Sequence, residues 1–553
     1  MTALAQANTL VDAVTDALET ASRHLATVCT VDGRIDGGRL DEHQAAAYDL
    51  ASLSSSLVAA RALSQQQDPD ELQSQLALVA AADVAADLLA RIAGREADFG
   101  LDRDPLAAVA HALAAGRDTT LLGELGDRVL ATGEAGSRHL DEDLEMVRST
   151  FRRFAEDKVM PIAEHVHRAD EDIPEDIISG LAELGCFALS IPEEHGGFAT
   201  GGEDELLNMV LVTEELSRGS LGAAGSLITR PEIIGTAILK GGTDAQKATW
   251  LPAIASGERM CAVAVTEPDY GSDVAGVKTT ARRDGDHWVL DGVKTWCTFA
   301  GRAEYLLVLA RTDPDRSLGH KGLSLFVVEK PAASGHHFTF EQDPDGTVGG
   351  VGGGRMDARA IPTLGYRGMH SFEVSFEGWR VPADALIGED AGLGRGFYLQ
   401  MQAFANARLQ TAARAQGVMQ AALEQAVTYT SERRVFDQPI AAFQLTRVRI
   451  ARMAATLAAC RALSFQVARE LARGEQQAAL TASQVKQFGC RAAEWVTREA
   501  QQLHGGYGYA EEYEVSRLFV DARVLSIFEG TDEVLALKVI ARGLLARELA
   551  PAA

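Results

Sequence analysis

The sequence predicts an α+β multidomain fold with the order helical, helical, β, helical, and three observations lead there. Residues 1 to about 135 are rich in Ala and Leu with helical periodicity, and residues 140 to about 258 are also helical. The texture switches to alternating runs between Gly, Asp and Pro turns over about 259–385. Long helical patterns return from about 386 onward. At ~100–200 residues per domain the chain has room for three or four units.

The first unit, 1–135, is a helical extension interrupted at "DGRIDGG" (32–38) and closed at "LATGEAG" (130–136). The second, 136–258, is helical with breakers at "PEEHGG" (192–197) and "LKGGT" (239–243). The third, 259–385, contains "HWVLDGVKTW" (287–296) and "YLLVLART" (305–312), which read as antiparallel strands. Within it, "DPDGTVGGVGGGRMDAR" (343–359) has too many glycines for a strand and is expected to be a loop, either passive or a mobile lid. No GxGxxG or GxxxxGK[ST] stands between a strand and a helix, so this is no phosphate-binding fingerprint. In the fourth, 386–553, Ile450, Met453, Leu457, Cys460 and Val467 fall on one helical face.

The first and fourth units echo each other. At an offset of 400, "QAAAYDLASLSSSLVAARALS" (44–64) and "QLTRVRIARMAATLAACRALS" (444–464) share eight of 21 residues, including Gln44/Gln444 and the run Arg61–Ser64 against Arg461–Ser464. Arg34 matches Arg434 at the same offset. The extension is therefore expected to be a degenerate copy of the C-terminal helical domain.

Composition excludes several classes. With 78 acidic against 52 basic residues the net charge is −26, and no long basic run appears, so nucleic acids and anionic membranes are not expected partners. The six cysteines form no CxxC pair and no zinc spacing, which suits reduced thiols in a cytosolic protein and no metal. The N-terminus has no basic start and no unbroken apolar run, so it is not read as a signal peptide, and no segment is apolar for the ~18 residues a span needs. A cytoplasmic location is expected.

Three separated stretches carry chemistry. They are "VAVTEPDYGSDVAGVKT" (263–279) with "DGVKTWCTFAG" (291–301), "SERRVFDQPIAAFQ" (431–444), and "QLHGGYGY" (502–509) with "DARVLSIFEGTDEV" (521–534). Taken singly, Trp296 reads as core, Arg433 as a surface charge and Gly505–Gly506 as a turn. Together, in this order over some 400 residues, they resemble the acyl-CoA dehydrogenase family of flavoproteins.

The resemblance covers about 140–550. It implies an N-terminal helical domain, a central antiparallel β-domain and a C-terminal four-helix bundle, preceded here by the extension. The cofactor implied is FAD. Val265, Thr266, Trp296 and Thr298 would line the flavin, and Ser272 would contact flavin or acyl-CoA. Arg433 offers a planar fork for pyrophosphate, Phe436 packs toward adenine and Gln444 bonds the nucleotide, these three coming from a neighbouring subunit in the family. Gly505 and Gly506 allow close backbone approach beside Gln502, while Thr531 touches the flavin and Glu533 lies on the nucleotide side.

The implied reaction is α,β-dehydrogenation of an acyl-CoA thioester, with Glu529 as the base. Ile527 and Phe528 are expected to exclude water and raise its basicity, and Gly530 to leave room for substrate. Some family members place the base just before an Arg on a helix; that position is Ala407 here, followed by Arg408, which would help hold CoA or the base loop. Arg230 interrupts an apolar helical stretch and either pairs locally with Glu232 or meets a carboxylate on the substrate. Arg355, Arg359 and Arg367 are further anion-binding candidates.

The extension, the glycine-rich loop and "TLGYRGMHSFEVSF" (363–376) resemble the family branch acting on a branched dicarboxylic acyl-CoA, such as (2S)-methylsuccinyl-CoA. Dehydrogenases of other short or branched chains, an acyl-CoA oxidase and a nucleic-acid-binding flavoprotein of the same superfamily are the alternatives. An electron-transfer flavoprotein is the expected acceptor. A homodimer sharing FAD sites is expected, with the extension covering the face a second dimer would use.

Overall fold

The structure, a computed structural model, describes residues 1–343 and 353–549, apart from the side chains of 103–105 and 405. The glycine-rich stretch 344–352, and with it the expected loop or lid, lies outside the described residues. The chain divides into two compact bodies. One combines Met1–Met146 with Thr411–Ala553, and the other is Val147–Gln410.

The first body is helical. Its N-terminal part runs through the helix Ala3–Cys29, a two-residue hairpin (Thr30–Val31 with Arg34–Ile35), and the helices Gln44–Ser64 and Glu71–Ile92. Asp70 and Gln73 close a capping box that starts the last of these. Its C-terminal part repeats the pattern: the end of the long helix Gly396–Glu432, a hairpin (Arg434–Val435 with Gln438–Pro439), and the helices Gln444–Ala472 and Ala478–Leu503. The aligned face residues Leu50, Leu53 and Leu57, and Ile450, Met453 and Leu457, are all buried. Arg61 donates to Thr15 on the preceding long helix, and Arg461 donates to Gln420 on its own preceding helix.

At the hairpins the echo is out of register. The left-handed turn residues are Asp32 and Gly33 in one and Phe436 and Asp437 in the other, an offset of 404. Arg34 therefore sits on a second strand and Arg434 on a first, and they are not equivalent. The extra turn of helix Gly37–Glu42 absorbs the difference, which a constant-offset comparison cannot show.

In the second body, helices such as Glu205–Gly219, Thr229–Gly241 and Asp244–Ala255 accompany an eight-stranded sheet lying wholly between Cys261 and Pro382. Its strands run Cys261–Ala264, Tyr305–Arg311, Thr280–Asp284, His287–Thr298, Ser371–Pro382, Gly354–Ala360, His337–Gln342, with Leu323–Glu329 also paired to Tyr305–Arg311. Most pairs are antiparallel; Cys261–Ala264 joins Tyr305–Arg311 in parallel. The period of two sorts Tyr305, Leu307 and Leu309 into an apolar cluster with helix residues such as Ile234 and Leu251, and Leu306, Val308 and Ala310 into a cluster with Trp288, Phe326 and Phe376.

The expected loop 343–359 needs correction at its end. Gly354–Ala360 is a strand hydrogen-bonded on both sides, with Met356 and Ala358 facing the core. The upstream glycines masked the alternation of "RMDARA", and Arg355 and Arg359 are strand residues. Among the described residues no helix is long and apolar enough to cross a membrane.

Candidate active site

Glu529 lies in the short connection between the helix Glu514–Leu525 and the turn of helix Asp532–Val534. Both Glu529 and Gly530 adopt left-handed backbone (φ 55° and 97°). Gly530 takes this freely, while Glu529 is held there against its preference. What holds it is visible. Lys486, fully buried on the helix Ala478–Leu503, donates Nζ to the carbonyls on either side, Phe528 at 2.7 Å and Gly530 at 2.5 Å. The backbone N–H of Asp532 donates to the Ser526 carbonyl and closes the connection.

The Glu529 carboxylate sits among charged and polar partners. Arg414, 0% exposed, donates Nη2 to both carboxylate oxygens at 2.7 Å. Thr411 donates its hydroxyl to the same carboxylate and accepts from Arg414 Nη2 at 2.7 Å. The Arg414 guanidinium lies 4.7 Å over the Phe528 ring. This corrects the expectation of an apolar wall. Ile527 is 50% exposed, and Phe528 faces the arginine, so an ion pair rather than water exclusion sets the environment. Neither Arg414 nor Thr411 was singled out in the sequence; the available signal was their spacing of seven and four from Ala407 on one continuous helix.

Two further groups steady this connection. Tyr48, from the extension, donates its hydroxyl to Asp532 at 2.6 Å, and Arg491 donates to the same oxygen at 2.8 Å. Burial, and next the Asp532 carboxylate, push the Tyr48 hydroxyl above its ordinary pKa. Thr531 caps the Asp532–Val534 turn through the Val534 N–H, and Glu533 is exposed.

In the same body, the nucleotide candidates lie on exposed surface. Phe436 is 90% exposed at the hairpin turn with φ 49°. Arg433 is exposed and its guanidinium lies 5.7 Å over the Tyr507 ring. Gln444 starts its helix and Gln502 ends near the next turn, both exposed. A Cβ on Gly505 or Gly506 would meet nothing within 4 Å, so the backbone there is open to a ligand. His504 anchors the turn from beneath: it is buried, stacks on Tyr429 at 4.1 Å, and its Nδ1 meets the Ala500 carbonyl at 2.8 Å.

In the second body, Trp296 sits at a β-bulge of strand His287–Thr298, with φ 58°, and is 55% exposed. A bulge re-aims a side chain, and here it leaves an indole uncovered. Thr298 shares a 2.8 Å hydrogen bond with Ser371 and is buried; Thr266 is half-buried and Ser272 exposed. The Val265–Thr279 loop is fixed by a buried pair that sequence reading missed. Lys294 donates to Glu267 at 2.8 Å and to the Val265 carbonyl at 3.0 Å, and Glu267 accepts the N–H groups of Lys278 and Thr279. Burial pushes Glu267 up, and Lys294 together with the hydrogen bonds from Lys278 and Thr279 more than reverses this, leaving it below the ordinary carboxylate range. In the second body the uncovered indole offers a face on which a flavin ring could stack, and in the first body, separately, the phenyl ring and glycine turn are open to a nucleotide.

The remaining arginines are placed differently. Arg367 donates to the Thr363 and His167 carbonyls, so it ties backbone together. Arg230 is buried and donates Nη1 to the Ser226 carbonyl at 3.0 Å. Arg355 bonds Glu341 and Asp357 at the surface. Ala407 is fully buried and Arg408 half-buried.

Comparison with known proteins finds relatives along most of the chain. Residues 141–258 match the N-terminal domain of acyl-CoA dehydrogenase, 262–378 the middle domain and 394–545 the C-terminal domain. The (2S)-methylsuccinyl-CoA dehydrogenase of Cereibacter sphaeroides is 41% identical over 544 residues, covering 95% of each chain and so most of the extension. The mitochondrial short-chain specific acyl-CoA dehydrogenase of Bos taurus is 36% identical over 72% of this chain and 89% of its own. The butyryl-CoA dehydrogenase structure from Megasphaera elsdenii superposes with a TM-score of 0.65 at 30% identity, covering 74% of this chain and 99% of that one. With three consecutive domains matched, the chain belongs to the acyl-CoA dehydrogenase family, oxidoreductases that act on acyl-CoA and carry FAD.

Proposed function

We propose that this protein oxidises (2S)-methylsuccinyl-CoA, a branched dicarboxylic acyl-CoA, to mesaconyl-CoA, with Glu529 as the base that removes the α-proton. The observation that carries the chemistry is the Glu529 carboxylate, bonded by Arg414 and Thr411 on a connection gripped by Lys486. The substrate rests on the relative that matches the extension as well as the three family domains.

Bound FAD supplies the hydride acceptor. Val265, Thr266, Ser272, Trp296 and Thr298 would bind and orient the ring, and Arg433, Phe436, Gln444, Gln502, Gly505, Gly506, Thr531 and Glu533 the remainder of the cofactor. Arg408 and Gly530 would border the substrate, and Arg230, buried in the second body, would meet the substrate's free carboxylate. The extension packs its helix Gln44–Ser64 on Ala478–Leu503 through Ser54–Gln484 and Ser55–Gln487 bonds, which supports a self-covered face and a homodimer. An electron-transfer flavoprotein is the proposed acceptor, in the cytoplasm.

The test is a substrate panel with a dye acceptor on wild type and Glu529→Gln, with hydrogen peroxide followed in parallel. Methylsuccinyl-CoA should be preferred over butyryl-, isobutyryl- and glutaryl-CoA. Glu529→Gln should keep the flavin and lose activity roughly a thousand-fold, as removal of a positioned base does. Near wild-type turnover in Glu529→Gln, or a preference for butyryl-CoA, overturns the assignment.

A further inference from the structure

Three side chains that the proposed chemistry does not use converge in the second body. Asp170 ends the helix Met160–Ala169, His336 precedes the strand His337–Gln342, and His370 precedes the strand Ser371–Pro382. Each offers one atom able to ligate a metal, and these atoms all lie within 4.8 Å of one another. His336 Nε2 is 3.2 Å from Asp170 Oδ2, and His370 Nδ1 is 3.7 Å from Asp170 Oδ1. The two imidazole rings are 4.3 Å apart between centres. Ligand atoms held at about 2.0–2.1 Å around a tetrahedral ion stand about 3.3 Å from each other, so these separations are close to those of a coordinated set.

His370 is buried, and both its nitrogens face carboxylates, Asp170 on the Nδ1 side and Asp172 Oδ1 at 3.1 Å from Nε2. A neutral imidazole carries one proton, so one of those nitrogens turns a lone pair toward an anion. Nε2, moreover, makes no aligned hydrogen bond, and a buried polar atom in that state calls for an explanation. An ion on Nδ1 gives one. It takes up the lone pair and fixes the proton on Nε2, facing Asp172, which is how metal-bound histidines are oriented. Asp172 is itself held by the Gly335 N–H at 2.6 Å. The two carboxylates outweigh the Arg367 guanidinium, whose Nε is 3.7 Å from Asp170, so the surroundings stay negative and receive a cation.

The backbone places the three residues in advance. The Asp170 N–H bonds the Val166 carbonyl, while the carbonyls of His336 and His370 accept the N–H groups of Ala360 and Phe299, each at 2.8 Å. Asp170 and His336 are 166 residues apart in sequence, which is why the spacing of Cys and His along the chain does not show the cluster.

We propose that Asp170, His336 and His370 bind one divalent ion of the zinc class, with Asp172 behind His370, and that the ion clips the end of the helix Met160–Ala169 to two strands of the sheet. Two imidazoles and one carboxylate suit Zn2+ and its borderline neighbours, whereas Ca2+ and Mg2+ take oxygen ligands. Three protein ligands leave a position for water, and the exposed His336 opens the site to solvent.

The test is equilibrium dialysis of the flavin-loaded full chain, first stripped with a chelator, against Zn2+ alone, with metal and protein counted in the same samples. One Zn2+ per chain is expected with a Kd of about 1–10 µM, weaker than a closed four-ligand structural site. His336→Ala removes a ligand from an exposed position, where the fold tolerates it, and should weaken binding at least about 100-fold; Asp172→Asn should weaken it about 10-fold, in the range for outer partners. The adjacent exposed His337, paired with Asp357, is the control: His337→Ala should bind Zn2+ as wild type does. Zn2+ should raise the melting temperature of wild type and of His337→Ala, and leave that of His336→Ala unchanged. No binding at about ten times the expected Kd overturns the proposal. So does binding that His336→Ala leaves intact, or that His337→Ala removes equally.

Discussion

Tyr48 donates its hydroxyl to Asp532 at 2.6 Å across 484 residues of sequence, and so ties the N-terminal extension to the connection that carries Glu529. Arg491 approaches the same carboxylate oxygen, and its guanidinium lies 5.1 Å over the Tyr48 ring. The extension thus helps fix the position of Glu529.

Removing this tie should separate activity from folding. Tyr48→Phe deletes one hydrogen bond to a charged acceptor and should cost about 1.5–3 kcal/mol locally. The expected result is normal flavin content with kcat lowered several-fold and faster proteolysis or hydrogen exchange at 526–534. Unchanged exchange in that segment would show that Tyr48 does not steady it.

Gly506 gives a cofactor-specific test. A Cβ there meets nothing within 4 Å and its backbone is not left-handed, so Gly506→Val should leave the apoprotein's melting within about 0.5 kcal/mol of wild type, as for other surface changes. A side chain in the open space should, however, obstruct the nucleotide. The flavin-to-protein absorbance ratio should fall sharply on gel filtration. Full flavin retention would place the cofactor elsewhere.

Lys294→Met should be severe. It strands Glu267 in a buried site, a change that typically costs about 3–5 kcal/mol. Because the Glu267 carboxyl is held below its ordinary range in the fold, its contribution is fully present above the unfolded-state pKa and is lost as pH falls through the folded value. The difference in unfolding free energy between wild type and Lys294→Met should therefore be widest near neutrality and shrink in strong acid. Denaturant melts across pH measure it.

His504 makes stability rise with pH in the same sense, through burial rather than through an ion pair. Its burial lowers the imidazole pKa, with the Ala500 carbonyl opposing in part. Between the folded and unfolded values the unfolded chain binds more protons, so stability rises with pH through that window and is lower on its acid side. His504→Gln should flatten the pH dependence of melting below about 6.5, the imidazole's unperturbed value. Parallel melting curves for the two proteins between acid and neutral pH would contradict this.

The order of textures along the chain was legible because helical and strand periodicities are local properties. The same holds for the face Ile450–Met453–Leu457 and for the Glu529 motif between hydrophobic residues and glycine. The pairing of Gly354–Ala360 was not, because neighbouring glycines outweighed a short alternation. The hairpin register was not, because a local insertion shifts structure without erasing the echo in the following helix.

What the sequence by itself determined was a helical, helical, β, helical chain with a base candidate and flavin-type motifs in order. What only the tertiary structure decided was the company those residues keep. Arg414 meets Glu529 from 115 residues away, Lys294 meets Glu267 from 27, and Tyr48 meets Asp532 from 484. Periodicity states which face of an element is buried. It does not state which face of a distant element covers it, and the charge set around a carboxylate depends on that second choice.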